Sequence, residues 1–310
     1  MNICVVGPGA IGLLFYFNLY KKVKSLILLD KDRKRASVLK DKDLTVFKES
    51  KTYKVPLKIT AEPKDLKDID LFIISVKSYD TLRVAKTIKP LCSKNTFILS
   101  LQNGIGNLDI LAEVLDEEKV LGAVTHKAST LVEDGVIRFA ADGPTIIGRR
   151  GKNLPAILRQ IRTLFNSCEI ATKIHKDLNS VIWSKLVINI AINPLSAILG
   201  LKNGDLLKTP QSRTLLQMAS TEAERIAKRK RIKLLYDDTQ TKVEAVCRAT
   251  SENISSMLQD VLKKRPTEID SLNGAICRLG QNLKIPTPVN YLLLQLVKTL
   301  EQSYNQTLNS

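Results

Sequence analysis

Histidine is almost missing from this chain: 310 residues contain two, His126 and His175. Two imidazoles cannot build a histidine-rich metal site, and neither stands near a recognisable nucleophile motif. A Ser-His-Asp hydrolase is therefore disfavoured, and no metal is expected. Cysteine is sparse as well. Cys4, Cys92, Cys168, Cys247 and Cys277 are odd in number and follow no ligand-like spacing, which fits reduced cytoplasmic thiols better than a disulfide framework. No run of about 18 uncharged apolar residues is present, so no membrane span or membrane partner is expected. The apolar opening MNICVVGPGAIG lacks the basic flank and small-residue cleavage site of a signal peptide. Aromatics make up only 5% of the chain, without the interleaving that stacks bases.

Acidic residues are outnumbered, 31 against 48 Lys and Arg, for a formal net charge of +17. Such a surface can mark nucleic-acid binding. Here the lysines are spread along the chain with acids between them, and the densest cluster, Lys228 to Lys233, reads as the solvated end of a helix. A nucleic-acid partner is not expected. A positive field also attracts anionic substrates and phosphorylated cofactors, which is the better fit.

In the first half, apolar runs alternate with helical segments. Asn2 to Val6 reads as a strand and ends in Gly7-Pro8-Gly9-Ala10-Ile11-Gly12, followed by a helical stretch from Leu13 to Lys21. Strand, glycine spacing and helix form the setting that a dinucleotide pyrophosphate requires. Gly7 allows the tight turn, Gly9 the close approach of phosphate, and Gly12 the packing of helix on strand, while the helix N-terminus offers N–H groups. A second strand, Ser25 to Leu29, ends at Asp30, where an acid suits the ribose hydroxyls of NAD. Lys31, Arg33, Lys34 and Arg35 follow at once and suit a 2′-phosphate instead, so the residues leave NADP and NAD both open. Leu44 to Thr60 reads as a hairpin. Strands from Asp70 to Val76 and Thr96 to Leu101 end in Lys77 and Asn103, at the end of a parallel sheet where ligands bind. Each is also an ordinary turn or cap residue. From Val120 to Gly148, short runs broken by Asp134-Gly135 and Asp142-Gly143 read as antiparallel strands extending the same sheet. A helix from Leu154 to Phe165 and a strand from Glu169 to Lys173 complete the half.

After residue 176 only helical periodicity remains. The expected division is a dinucleotide-binding α/β domain over residues 1–176 and an all-α domain over 177–310. The expected helices are Leu178 to Leu199, Gln211 to Arg229, Asp238 to Thr250, Asn253 to Leu262, Thr267 to Leu283 and Val289 to Tyr304. The first is apolar yet carries Lys185, Asn189 and Asn193 at i, i+4 and i+8, a polar stripe that is costly to bury without partners. Pro194 lies inside it and releases the carbonyl of Ile190 from its helical bond. Asn253 and Ser256 fall one turn apart on a later helix, and Glu268 in the first turn of another, where a carboxylate is favoured in any case.

GPGAIG at 7–12, SVKSYD at 75–80, LQNGIG at 101–106, WSKLVINIAINPLSAI at 183–198, NISSMLQD at 253–260 and RPTEID at 265–270 together resemble the ketopantoate reductase (2-dehydropantoate 2-reductase) family. The resemblance spans nearly the whole chain. It implies a Rossmann-type domain followed by a helical domain of the 6-phosphogluconate dehydrogenase C-terminal type. It also implies NADPH-dependent reduction of ketopantoate to (R)-pantoate, a step toward pantothenate and coenzyme A. Lys185 would then be the catalytic proton donor, and Asn103, Asn189, Asn193, Asn253, Ser256 and Glu268 would hold the substrate. The glycine loop, Lys31, Lys77 and Asn103 would hold the cofactor. Asp30 departs from the NADP-preferring pattern and keeps NADH in view. A homodimer is also allowed. The competing readings are a related 2-oxo or 3-hydroxy acid reductase with another substrate, and a cofactor-binding regulatory or nucleic-acid-binding protein.

Overall fold

Each short apolar run of the first half becomes a strand. The structure, a computed structural model, describes residues 1–151 and 153–306. In chain order the strands are β1 (Asn2–Val6), β2 (Ser25–Leu29), β3 (Asp43–Lys48), β4 (Lys51–Pro56), β5 (Ile59–Thr60) and β6 (Leu71–Ile74). They continue with β7 (Phe97–Ser100), β8 (Val120–Thr125), β9 (Ala128–Glu133), β10 (Val136–Ala141), β11 (Thr145–Gly148) and β12 (Thr172–Ile174). The helices among them are α1 (Ala10–Tyr20), α2 (Arg33–Lys40), α3 (Thr81–Ile88), α4 (Asn107–Val114) and α5 (Ile157–Ser167). These elements belong to the first of two compact units, residues Met1–Gln102 and Asn107–Leu178.

Its main sheet has eight strands in the order β12-β11-β8-β7-β6-β1-β2-β5. β1 lies between β2 and β6, parallel to both. The chain therefore builds outward on one side of β1 and then on the other, which makes the C-terminal end of β1 a topological switch point. Residues of β6 and β8 are buried on both faces, as continuous apolar runs in a covered sheet must be.

The 120–148 region departs from expectation. β8 and β11 do extend the main sheet, but β9 and β10 leave it and join β3 and β4 in a second, four-stranded sheet ordered β4-β3-β10-β9. β10 pairs parallel to β3, with Val136 opposite Thr45. The cause lies in the pattern: every residue of β8 is buried, whereas Ser129 and Leu131 of β9 are buried between less buried neighbours. Strands with one apolar face need only one covering layer. Helix α1 supplies it, packing on strands of both sheets, and accordingly carries Leu13, Leu14, Phe15, Tyr16 and Leu19 buried around its girth.

The second unit comprises Asn103–Gly106 and the residues from Asn179 onward. Its helices are α6 (Leu178–Leu199), α7 (Pro210–Arg229), α8 (Thr239–Ala249), α9 (Ser256–Leu262), α10 (Asn273–Leu283) and α11 (Pro288–Gln302). Sequence-visible caps start two of them: Thr209 accepts from Ser212 N at 3.3 Å ahead of Pro210, and Asp238 accepts from Thr241 N at 2.6 Å. α6 is the axis of the unit. One side of it (Trp183, Leu186, Val187, Ile190) packs with Ile226, Met257, Ile269 and Ile276. Another side (Ile188, Ala191, Ile192, Leu195) packs with Leu206, Leu216, Val243 and Leu293. Each such aliphatic side chain contributes about 1.5–3 kcal/mol on full burial. Among the described helices α6 alone is long and apolar enough to cross a bilayer, and 78% of its apolar window is buried inside the protein.

In this unit two expected helices start three or more residues later than their periodicity suggests, as α5 of the first unit does, at Ile157 against Leu154. α9 begins at Ser256, because Ser255 caps it by accepting from Leu258 N at 3.0 Å. Asn253 thus lies before the helix, its N–H bonded to Thr250 O at 2.9 Å. α10 begins at Asn273 rather than Thr267. Thr267 Oγ1 accepts from Ile269 N at 3.2 Å, a local side-chain turn that competes with the helical ladder, so Glu268 stands in a turn and not in a helical first turn.

Candidate active site

The glycine loop meets its three demands separately. Gly7 has φ +100, a left-handed conformation that an L side chain rarely adopts. A Cβ on Gly12 would lie 2.0 Å from Gly7 O and 2.5 Å from Ser75 Oγ, so only glycine lets α1 approach the strand end. Gly9 is different: a Cβ there would meet nothing within 4 Å. It occupies the N-cap of α1 without a side chain to satisfy the first-turn N–H groups. Open space before a helix N-terminus with unclaimed donors suits a phosphate group. Ser129 Oγ donates to Ala10 O at 2.7 Å and Ser75 Oγ to Gly7 O at 3.0 Å, bracing the loop from β9 and from the end of β6. Neither serine stood out in the sequence.

The loops after β2 and β6 meet beside it. Lys31 Nζ lies 2.7 Å from Asp80 Oδ2, and Arg83 reaches the other Asp80 oxygen at 3.2 Å. Lys31 also stands over the Tyr79 ring at 5.9 Å. Lys77 precedes the short 3-10 turn Ser78–Asp80 that carries this acid. Gln102, at the end of β7, donates to Val76 O at 3.1 Å and Thr81 Oγ1 at 2.7 Å, tying two adjacent strand ends together. Arg33 and Arg35 were candidates for a 2′-phosphate; both are engaged elsewhere. Arg33 pairs with Glu62 at 2.9 Å, and Arg35 grips Asp30. Asp30 is buried, and it also accepts from Asp32 N at 3.1 Å. The carboxylate expected to face the ribose is already neutralised.

In the helical unit, Lys185 is partly buried on α6. Desolvation lowers its pKa from 10.5 to about 8, while the nearby Glu268 carboxylate acts in the opposite direction. The two residues singled out from distant stretches of sequence are thus electrostatic neighbours. Ser184 anchors the adjoining segment: its Oγ donates to Ser180 O at 2.6 Å and accepts from Leu235 N at 2.8 Å. Asn193 is buried and Asn189 partly so. Neither side-chain amide is hydrogen-bonded to another described residue, and neither is among the buried polar atoms left without a partner, so both remain open to a polar ligand.

The loop bearing Asn103 groups with this unit. Ile105 N donates to Ser271 O at 3.2 Å, and a Cβ on Gly104 (φ +83) would lie 2.5 Å from the same carbonyl. Glu268 O in turn accepts from Ser271 N and Leu272 N at 3.1 Å each. Asn103 and Glu268 are therefore held on two segments stitched together through Ser271. Ser256 is exposed at the start of α9 and Asn253 half-buried. The neighbouring Ser255, not foreseen, caps α9 and reaches Asn193 O at 3.5 Å.

The first unit carries a glycine loop suited to a dinucleotide phosphate at a parallel-sheet switch point, and the helical unit carries a desolvated lysine opposed by a carboxylate; each is a feature of nicotinamide-dependent oxidoreductases. Comparison with known proteins narrows the class. Residues 3–152 match the family model described as ketopantoate reductase PanE/ApbA, and residues 177–301 match its C-terminal counterpart. The chain is 32% identical to the 2-dehydropantoate 2-reductase of Aquifex aeolicus over 97% of each chain. It is 30% identical to that of Halobacterium salinarum, over 97% of this chain and 99% of the relative. The crystal structure of 2-dehydropantoate 2-reductase from Geobacter metallireducens superposes with TM-score 0.90 at 26% identity, covering 96% of this chain and 99% of that one. D-mandelate dehydrogenase, in a ternary structure with NADH and anilino(oxo)acetate, gives TM-score 0.91 at 26% identity, covering 98% and 100%. The chain belongs to the ketopantoate reductase family.

Proposed function

We propose that the protein reduces 2-dehydropantoate to (R)-pantoate with NADPH, the step that feeds pantothenate and coenzyme A formation. The observation that carries the proposal is the lysine of lowered pKa beside Glu268, on a helix whose Asn189 and Asn193 amides are unclaimed. In this reading the loop from Gly7 through Pro8, Gly9, Ala10 and Ile11 to Gly12 holds the pyrophosphate, with Lys31, Lys77 and Asn103 completing the cofactor site. A bound nicotinamide supplies the hydride for the C2 ketone. Lys185, as ammonium, stabilises the developing alkoxide and gives it a proton, so ketone, hydride and proton balance to a secondary alcohol. Its pKa of about 8 leaves it protonated at neutral pH yet acidic enough to donate. Asn103, Asn189, Asn193, Asn253 and Ser256 provide neutral donors for the carboxylate and ketone. Glu268 accepts from the C4 hydroxyl, which selects against 2-oxo acids that lack one.

NADPH is favoured over NADH because Arg35 occupies the Asp30 carboxylate that would otherwise meet the ribose hydroxyls, and Lys31, paired with Asp80, is the adjacent cation. The domains assigned are residues 1–176 for cofactor and 177–310 for substrate. The five unpaired cysteines suit a reducing cytoplasm, and the exposed Tyr291, Leu292 and Leu296 of α11 offer an apolar surface for a homodimer.

The resemblance to D-mandelate dehydrogenase favours a second reading, a 2-oxo acid with a different side chain. NADPH oxidation with ketopantoate beside 2-oxoisovalerate and benzoylformate separates the two. Highest kcat/KM on ketopantoate is expected; a preference for benzoylformate overturns the first reading.

A further inference from the structure

Pro194 has no N–H, so the Ile190 carbonyl, four residues earlier in α6, lacks its helical donor. In the structure that carbonyl is not bare: Asn273 Nδ2 donates to it at 2.9 Å. Asn273 is the first residue of α10 and is completely buried. Its second Nδ2 proton goes to Asn290 Oδ1, also at 2.9 Å. Asn290 in turn is fixed by its own amide, which donates to Ala219 O at 3.0 Å and to Glu222 Oε2 at 2.7 Å. Glu222, a buried carboxylate in mid-α7, accepts from the N–H groups of Val289 and Asn290, both at 2.9 Å. It thereby closes the N-terminus of α11.

The direction of every bond in this chain is forced. Two acceptors face the Asn290 amide nitrogen, so its oxygen must face Asn273, and Asn273 must present its NH2. The Oδ1 of Asn273 is left buried with no partner, a cost of about 1–3 kcal/mol. A site that tolerates an orphaned acceptor to obtain two donors on one nitrogen requires those donors. Asp and Leu, the residues of nearest shape, have none.

Asn273 also follows Glu268 closely. Leu272 N and Ser271 N bond back to Glu268 O, and Gly274 N to Ile269 O at 3.0 Å. One end of the Asn273 bridge is thus the turn that carries Glu268. The other is Ile190, on the helix of Lys185, Asn189 and Asn193.

We propose that Asn273 is a positioning residue: it replaces the amide proton that Pro194 removes and so sets the Lys185 helix against the Glu268 turn. The proposal rests on the reading of Lys185 and Glu268 as catalytic and substrate-binding residues. It assigns the Glu222–Asn290–Asn273 network to registration of that pair.

The test is a double-mutant cycle in the full-length protein with P194A, N273A and both together. The P194A substitution restores a helical donor for the Ile190 carbonyl, so it should make Asn273 dispensable. N273A alone is expected to lower kcat for ketopantoate about tenfold or more, with the dissociation constant for NADPH changed by less than about twofold. In the P194A background the same substitution should cost no more than about threefold. The Lys185 titration, followed by NMR of ε-13C-lysine, should move with N273A only when Pro194 is present. This readout needs no substrate, so it judges the bridge even if ketopantoate is not reduced. If N273A does not fold, recovery of folding in the double variant supports the bridge and failure to recover overturns it. Equal losses in both backgrounds, or an unmoved Lys185 titration, overturn it as well.

Discussion

Asp30 and Arg35 form a two-pronged ion pair, Nε to Oδ2 and Nη2 to Oδ1, each at 2.6 Å. The pair is formed across the turn that ends β2 and starts α2, and Asp32 caps that helix by accepting from Arg35 N at 3.0 Å. An acid in this position ordinarily signals NAD, but here its acceptor sites are filled from inside the protein.

Removing the arginine should uncover the carboxylate. For Arg35→Ala, the ratio of kcat/KM with NADPH to that with NADH is expected to fall about tenfold or more, equivalent to ~1.4 kcal/mol. Initial rates normalised to folded protein measure it; an unchanged ratio removes Asp30 from cofactor selection.

The lysine predicts a pH profile. A proton donor must be in its ammonium form, which predominates below its pKa, so kcat/KM for reduction should be level up to pH about 8. Above that it should fall about tenfold per unit. Glu268 raises the lysine pKa, so Glu268→Gln should shift the falling limb to lower pH. A shift upward contradicts the assignment. Lys185→Ala should lower kcat by about a thousandfold while leaving NADPH binding intact, as titrated by cofactor fluorescence.

The same lysine has a stability signature. Its pKa falls from 10.5 to about 8 on folding, so between those values the unfolded chain binds more protons and stability gains with rising pH. Lys185→Met lacks this term. Any advantage in Tm it holds over the parent should be largest below pH 8 and shrink as pH rises toward 10.5; differential scanning calorimetry across that window reads it.

Glu268 also bears on substrate choice. Glu268→Ala should narrow the kcat/KM advantage of ketopantoate over 2-oxoisovalerate about a hundredfold or more, because a buried acceptor matched to a hydroxyl discriminates strongly. Retention of full selectivity would sink its role with the C4 hydroxyl.

Two glycines of one loop should fail in opposite ways. Gly12→Ala places a methyl against the Gly7 carbonyl and should lower Tm by about 5 °C or more. Gly9→Ala enters open space, so Tm should hold while the NADPH dissociation constant rises about tenfold or more. Circular dichroism melts and cofactor titrations on the same preparations distinguish the two.

What the sequence makes legible follows the range of the interactions. Asn2–Val6, Ser25–Leu29 and Leu178–Leu199 are readable to the residue because apolar runs and their breakers are local signals. The transfer of β9 and β10 to a second sheet was not, since parallel pairing with β3 depends on a partner far back in the chain. Thr267 looked like a helical position until its hydroxyl turned back on Ile269 N. Lys185 and Glu268 could be named as candidates, but their electrostatic contact could not. Glu222 resembled any solvated acid in a charged helix. Only the later arrival of α11 gives it the N–H groups that explain its burial. Freeing of the Ile190 carbonyl follows from Pro194 alone, yet nothing near it in the chain points to Asn273 as its donor.

Helix α6 is made before most of what covers it. Its partners in α7, α10 and α11 end at Gln302, so a nascent chain that has reached only Leu199 presents a segment with the length and hydropathy of a bilayer span without the helices that bury most of it. Until the remaining helices are translated, this stretch is exposed apolar surface of the kind that associates wrongly. A premature stop in that interval therefore yields an aggregation-prone product, not an enzyme with a missing end.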